Sequence, residues 1–373
     1  MALSLLEGNE AIGWGALAAG CRFFAGYPIT PATTVYNTML KLLPPAGGIC
    51  MQAEDEIASM GFCLGAAMTG LKVLTATSGP GISLYSEQIS FAVGSEIPLV
   101  IVNVQRLGPS TGSATKGADG DIQFMRWGSS SGQPVIVLAP VDGRDCYTLT
   151  VQAFNLAETY RCPVFIASNK EIAMTRETLD LTTLELPAIQ ARKQAAAADD
   201  FLPFAARGED GVPDFLPIGG PRLVRQTSST HGPDGYITTD PAVIAQTQAR
   251  LFKKVESAVD RFTFFDFHGA AQGDCLIITY GVSARAARSA LAEMDSGAEA
   301  IGLLVLKTLW PVPEALIQAR AGRFRRIVVL EMNLGQYVRE IQRLLPGKSV
   351  EFLGRMDGEL ITPRQIKEVL SGE

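Results

Sequence analysis

Four apolar runs constrain this chain more than any other feature. They are Lys72-Val73-Leu74-Thr75-Ala76-Thr77, Leu99-Val100-Ile101-Val102-Asn103-Val104, Pro134-Val135-Ile136-Val137-Leu138-Ala139 and Pro163-Val164-Phe165-Ile166-Ala167-Ser168. None alternates apolar with polar. A strand with one wet face alternates, whereas a parallel strand covered on both faces reads as a continuous apolar run. Helical patterns separate the runs, over 56–68, 86–93 and 143–160. Residues 1–180 are therefore expected to form an α/β layer with a buried parallel sheet.

The character changes over 181–245. Residues 191–200 are alanine-rich and polar, and 203–221 are rich in proline and glycine. This segment reads as an irregular connection. From 246 the α/β pattern returns: a helix over 246–259, strands over 275–280, 300–306 and 326–331, and a helix over 284–294. A length of 373 residues suits two such domains, 1–180 and 246–373.

Composition narrows the function classes. A net charge of −6 argues against a nucleic-acid partner, because phosphate neutralisation needs a basic face. The six cysteines contain no C-x-x-C pair and there are only two histidines, so neither a zinc site nor an iron–sulfur ligand set is expected within this chain. Dispersed thiols suit a reducing cytoplasm. Glu7 and Glu10 precede the first apolar patch, where a signal peptide needs positive charge, and no apolar run approaches the ~18 residues of a membrane span.

Several segments carry chemistry. In Met51-Gln52-Ala53-Glu54-Asp55-Glu56, Glu54 is the favoured functional carboxylate, with Glu56 its close competitor and Asp55 a distant one. The alternative is an acidic first helical turn, stabilised by the helix dipole. Thr77-Ser78-Gly79-Pro80-Gly81 ends a strand in a tight turn whose glycines let backbone approach a ligand. Tyr27-Pro28-Ile29-Thr30-Pro31 is a loop, since two prolines exclude a helix interior. Arg106 follows the 99–104 strand, at the carboxyl end where α/β sheets present ligand contacts, and a guanidinium can grip a carboxylate through two hydrogen bonds. Two decoys are set aside. Gly13-Trp14-Gly15 has no preceding strand of a dinucleotide fold, and Gly120-Asp121 lacks the asparagine that completes a metal–diphosphate motif about two dozen residues on.

Taken in order with Asn103–Gly112, Thr308-Leu309-Trp310-Pro311 and Glu331-Met332-Asn333-Leu334-Gly335-Gln336, these segments resemble the alpha subunit of 2-oxoacid:ferredoxin oxidoreductases, most closely the 2-oxoglutarate type. The resemblance implies a thiamine diphosphate (ThDP) pyrimidine-binding domain followed by a transketolase C-terminal-like α/β domain. It implies oxidative decarboxylation of a 2-oxoacid with coenzyme A and ferredoxin. A carboxylate, Glu54 by preference, would hydrogen-bond the aminopyrimidine ring and promote the reactive ylid. Ile29, Thr30, Ser78, Gly79 and Pro80 would line the cofactor. Thr30 and Arg106 would meet the 2-oxoacid, with Lys116 and Arg126 candidates for a distal carboxylate. His231 matches a histidine-containing loop of the family. Leu107 departs from it, standing where a glycine often follows the arginine. The resemblance also implies a beta-type partner holding the diphosphate, Mg²⁺ and a [4Fe-4S] cluster, and sometimes a gamma-type chain. Pyruvate or branched-chain substrates, and a scaffold with a relic ThDP fold, are the alternatives.

Overall fold

The computed structural model describes residues 3–195, 201–294 and 300–371, so part of the alanine-rich stretch 191–200 lies outside the described residues. The first half contains β1 (Ser4–Glu7), α1 (Gly8–Ala18), β2 (Phe23–Gly26), α2 (Thr33–Leu42), β3 (Ile49–Gln52), α3 (Glu56–Met68), β4 (Val73–Thr77), α4 (Gly79–Leu84), α5 (Ser86–Gly94), β5 (Leu99–Gln105), α6 (Ile122–Trp127), β6 (Ile136–Leu138), α7 (Gly143–Tyr160), β7 (Pro163–Asn169), α8 (Lys170–Met174) and β8 (Arg176–Leu179). The second contains α9 (Pro241–Glu256), β9 (Phe265–Gly269), β10 (Gly273–Thr279), α10 (Ser283–Ala292), β11 (Ile301–Leu306), β12 (Thr308–Trp310), α11 (Glu314–Ala321), β13 (Phe324–Glu331), α12 (Val338–Leu344), β14 (Ser349–Gly354) and α13 (Pro363–Ser371).

The apolar runs become the centre of a seven-stranded sheet ordered β12-β6-β7-β5-β4-β2-β3. Successive residues of β5 serve opposite cores. Val100, Val102 and Val104 pack in the core that includes α1 and α7, while Leu99 and Ile101 join Met60, Ile82 and Ile89 from α3, α4 and α5. Burial on both faces is why these strands show no alternation. A second sheet, ordered β14-β13-β10-β11-β9, is parallel except for its edge strand β9.

Two features tie the halves together. β12 leaves the second half to pair antiparallel with β6 at the edge of the first sheet, and Trp310 donates its indole N–H to the Ile122 carbonyl at 3.1 Å. The segment between β8 and α9 contains no helix or long strand among its described residues, yet it is well anchored. The buried Arg192 forms a two-point ion pair with Glu158, and Arg161 donates to the carbonyls of Pro213 and Asp214. α9 starts at Pro241, five residues before the sequence pattern suggests. Asp240 caps it through Ala242 N–H at 2.8 Å, and proline fits a first turn, where no intrahelical N–H is needed.

The glycines of the discarded dinucleotide-like motif have a packing role. A Cβ on Gly13 would meet the Thr38 side chain at 2.5 Å, and one on Gly15 the Tyr147 carbonyl at 2.5 Å. They let α1 lie close to α2 and α7.

Candidate functional site

The strands β5, β4, β2 and β3 are neighbours and mutually parallel, so their carboxyl ends share one edge of the sheet. Each end carries one segment singled out in the sequence: Arg106 after β5, Ser78–Gly81 after β4, Tyr27–Pro31 after β2, and Glu54–Glu56 after β3. Parallel α/β sheets bind ligands at such ends.

The three acidic residues are sorted by where α3 begins. Asp55 is extended (φ −158°, ψ −179°) and caps the helix, its Oδ1 accepting the Ala58 N–H at 2.7 Å. Glu54 precedes the cap and is exposed. Glu56 is the first helical residue and is buried. Its carboxylate lies against the β4–α4 turn: a Cβ built on Gly81 would sit 2.7 Å from Glu56 Oε1 and 2.1 Å from Thr77 Oγ1. The geometry brings Glu56 to the turn and leaves Glu54 exposed at the same edge. Glu54 and Glu56 stand on either side of the Asp55 cap, one exposed before the helix and one buried as its first residue.

Polar atoms without partners gather at the same place. Thr77 Oγ1, Ser78 Oγ, Asn103 Oδ1 and Arg106 Nε are all buried and make no hydrogen bond. Buried polar groups are normally satisfied, so such a cluster marks a place where a ligand's groups would be received. Thr77 and Asn103 are paired residues of β4 and β5. Ser78 occupies the N-cap position of α4 without using its hydroxyl there. The sequence alone assigns no role to the Thr77 or Asn103 side chains. The available signal was a polar residue near the end of an otherwise apolar strand.

Arg106 is buried, and its terminal nitrogens donate to the carbonyls of Thr30 and Thr111, the latter at 3.0 Å. A guanidinium has five N–H donors, so capacity remains for a carboxylate. Burial lowers its pKa, while Asp121 and Glu56 act in the opposite sense. Among the described residues no carboxylate forms an ion pair with it, so the fork is not already taken. The Thr30 side chain is exposed and the Thr30–Pro31 peptide is cis; Ile29 packs on the core. Asn9 fixes this loop through the Pro31 carbonyl at 2.9 Å and Thr34 Oγ1 at 2.7 Å. Gly79 lies beside the arginine: an added Cβ would stand 3.7 Å from Arg106 Cγ.

Other candidates sit elsewhere or are engaged. Lys116 is exposed and pairs with Glu359 at 2.6 Å. Arg126 is buried, donates to the Gln133 carbonyl at 3.0 Å and stacks over Trp127 at 3.8 Å. His231 packs on Phe204 at 3.9 Å and shares Nδ1 with the Ser229 carbonyl at 2.7 Å. Asp121 of the metal-motif decoy accepts from Asn103 Nδ2 at 3.0 Å. No group of three or more metal-ligating side chains occurs among the described residues. A buried carboxylate, free hydroxyls and a close-approach glycine fit the pyrimidine end of ThDP.

Comparison with known proteins agrees in fold. Residues 14–250 match the family model described as pyruvate flavodoxin/ferredoxin oxidoreductase, thiamine diP-binding, and residues 273–366 match pyruvate:ferredoxin oxidoreductase core domain II. The 2-oxoglutarate synthase subunit KorA of Methanothermobacter thermautotrophicus is 38% identical over 367 residues, covering 98% of this chain and 97% of the relative. The ketoisovalerate oxidoreductase subunit VorB of the same organism is 31% identical, covering 99% and 97%. Among solved structures, the 2-oxoglutarate:ferredoxin oxidoreductase from Magnetococcus marinus, with 2-oxoglutarate, coenzyme A and succinyl-CoA bound, superposes with a TM-score of 0.93 at 32% identity. All of this chain is covered, but it spans only 65% of that longer chain.

Proposed function

The chain belongs to the 2-oxoacid:ferredoxin oxidoreductase family, as an alpha subunit of the 2-oxoglutarate type, and we propose on that premise that it supplies the pyrimidine half of a ThDP site shared with a partner subunit. The reaction is oxidative decarboxylation of a 2-oxoacid with coenzyme A, and the substrate is 2-oxoglutarate, yielding succinyl-CoA. The observation that carries the reading is the buried Glu56 carboxylate against Gly81, beside the unpartnered Thr77, Ser78, Asn103 and Arg106 atoms.

Bound ThDP supplies the carbon nucleophile that no side chain here can provide. Glu56 would share a proton with a pyrimidine ring nitrogen across one hydrogen bond and so favour the imino tautomer. Placing the role on Glu56 rather than Glu54 follows from burial, which strengthens such a bond by excluding water. Thr77 and Ser78 offer hydroxyls to the ring edge, and the Ile29, Gly79 and Pro80 segments shape its walls. Arg106 receives the 2-oxoacid carboxylate through its free donors, beside the Thr30 loop. Lys116 is the candidate for a distal carboxylate, once released from Glu359.

The partner is a beta-type subunit carrying the diphosphate and Mg²⁺ ligands and the iron–sulfur cluster, with ferredoxin as acceptor and a gamma-type chain in some assemblies. The six free cysteines suit a reducing, cytoplasmic setting. Among the described residues no helix is long and apolar enough to cross a membrane. The complex co-expressed with its partner should convert 2-oxoglutarate to succinyl-CoA with the highest kcat/KM in a panel including pyruvate and 2-oxoisovalerate. Absence of any acyl-CoA product would favour a scaffold subunit; preference for another oxoacid would refute the substrate assignment.

A further inference from the structure

Residues 106–121 form an arm that leaves β5 at Arg106 and returns across the top of the first sheet. Its base is closed by Leu107 N–H to the Lys116 carbonyl at 2.8 Å and by Ser113 N–H to the Leu107 carbonyl at 2.9 Å. Thr111, at its tip, provides one of the two carbonyls that orient the Arg106 guanidinium. The position of that carbonyl depends on how both ends of the arm are held.

The near end is held by the strand itself. The far end is held by the turn between β13 and α12, which belongs to the second sheet. Gln336 is the main contact. Its side-chain oxygen accepts the Gln123 N–H at 2.9 Å, its side-chain nitrogen donates to the Gly120 carbonyl, and its own carbonyl accepts from Gln123 Nε2 at 2.8 Å. Met332 and Asn333 add bonds to the backbone of Asp119 at 2.8 and 2.9 Å. The turn is itself rigid. Glu331 accepts the Tyr337 and Val338 N–H groups at 2.8 and 2.7 Å, and Asn333 Oδ1 accepts those of Gly335 and Gln336 at 2.9 and 3.0 Å.

The clamped segment leads back to the arginine. Asp121 donates its N–H to Gln105 Oε1 at 2.9 Å and accepts from Asn103 Nδ2 at 3.0 Å. Gln105 immediately precedes Arg106. Hydrogen bonds thus run from the second sheet, through Gln336 to the Gly120–Asp121 peptide and on to Gln105, which the chain joins directly to Arg106. Asp121 influences Arg106 without ion-pair contact, which leaves the fork available.

We propose that Gln336, working through Asp121, is a positioning residue that sets Arg106 for the substrate carboxylate, giving the second domain a part in substrate binding. The inference rests on the reading of Arg106 given above. The test uses the complex co-expressed with its partner chain. Gln336→Ala should raise KM for the 2-oxoacid about fivefold, the effect of roughly one net hydrogen bond, with kcat within about twofold and ThDP affinity unchanged. Arg106→Lys should raise KM more, and the double variant should show less than the sum of the two effects, because both act on one group. Unchanged KM in Gln336→Ala, or strict additivity in the double variant, would overturn the inference. Equal losses in KM, kcat, ThDP affinity and melting temperature would reduce Gln336 to a structural contact and overturn it equally. Should Gln336→Ala fail to assemble, Gln123→Ala removes the one side-chain bond, Nε2 to the Gln336 carbonyl, from the other side of the same contact and is read by the same criteria. An Arg106→Lys variant with unchanged KM would instead refute the Arg106 reading, a separable outcome.

Discussion

Gly79 and Gly81 lie two residues apart in one turn, and the structure predicts opposite responses to the same added methyl group. At Gly81 the new Cβ would sit 2.1 Å from Thr77 Oγ1 and 2.7 Å from Glu56 Oε1. Non-bonded heavy atoms prefer about 3.5–4.0 Å, so Thr77, Glu56 or the turn must move. Overpacking of this kind costs about 1–3 kcal/mol of stability. The functional loss is larger, since a shift of about 1 Å at a positioned group can cost about 100-fold in rate. At Gly79 the nearest atom to an added Cβ is Arg106 Cγ at 3.7 Å, ordinary contact. Neither glycine has a positive φ, so backbone strain does not confuse the comparison. In the assembled complex, Gly81→Ala should lose about 100-fold in kcat and melt lower, whereas Gly79→Ala should keep activity within about threefold. Calorimetry and acyl-CoA formation measure both. Similar behaviour of the two variants, or a fully active Gly81→Ala, would refute the placement of Glu56 against the turn.

Glu96 is fully buried and pairs with Arg250 and Lys254 at 2.6 and 2.7 Å; burial would raise its pKa, but Lys254 and Arg250 outweigh this and pull it down to about 2. Its contribution should be complete above the ordinary carboxylate range and be lost as pH falls toward 2; Glu96→Ala should cost about 3–5 kcal/mol in denaturant unfolding by leaving buried cations unpaired. Asp119 behaves oppositely. Burial raises its carboxyl to about 7, against the Asn169 hydrogen bond and with Glu171, Glu331 and Asp121 adding repulsion. The folded state then holds a proton that the unfolded state releases, so stability should fall as pH rises from about 4 to 7, and Asp119→Asn should flatten that fall in thermal melts. Cys50 is the one half-buried thiol among six, so brief alkylation of the native chain, read by mass spectrometry, should label it before the others.

Much of the fold was legible because the strands are buried on both faces. The runs at 99–104 and 163–168 became β5 and β7, each longer by one residue, and the helical patterns at 56–68 and 143–160 became α3 and α7 without change. β12 was not legible: three residues, Thr308–Trp310, follow β11 directly and gain strand geometry only by pairing with β6 some 170 residues earlier. The site was legible as a set of segments, and the structure adds which of three neighbouring acidic residues caps α3. Glu54, Asp55 and Glu56 are chemically similar, and their roles depend on which of them caps α3. The preference of aspartate for the N-cap was the usable clue. The clamp on residues 119–123 was hidden for another reason: its partners are more than 200 residues apart, and only the folded chain brings them together.

The central claim is that the functional carboxylate of this half-site is Glu56. Turnover of 2-oxoglutarate by the assembled complex, compared between Glu56→Gln and Glu54→Gln, tests it most directly. Glu56→Gln should fall by at least about 100-fold with assembly intact, while Glu54→Gln stays within about threefold of the parent. Loss of turnover in Glu54→Gln with an active Glu56→Gln would contradict the account.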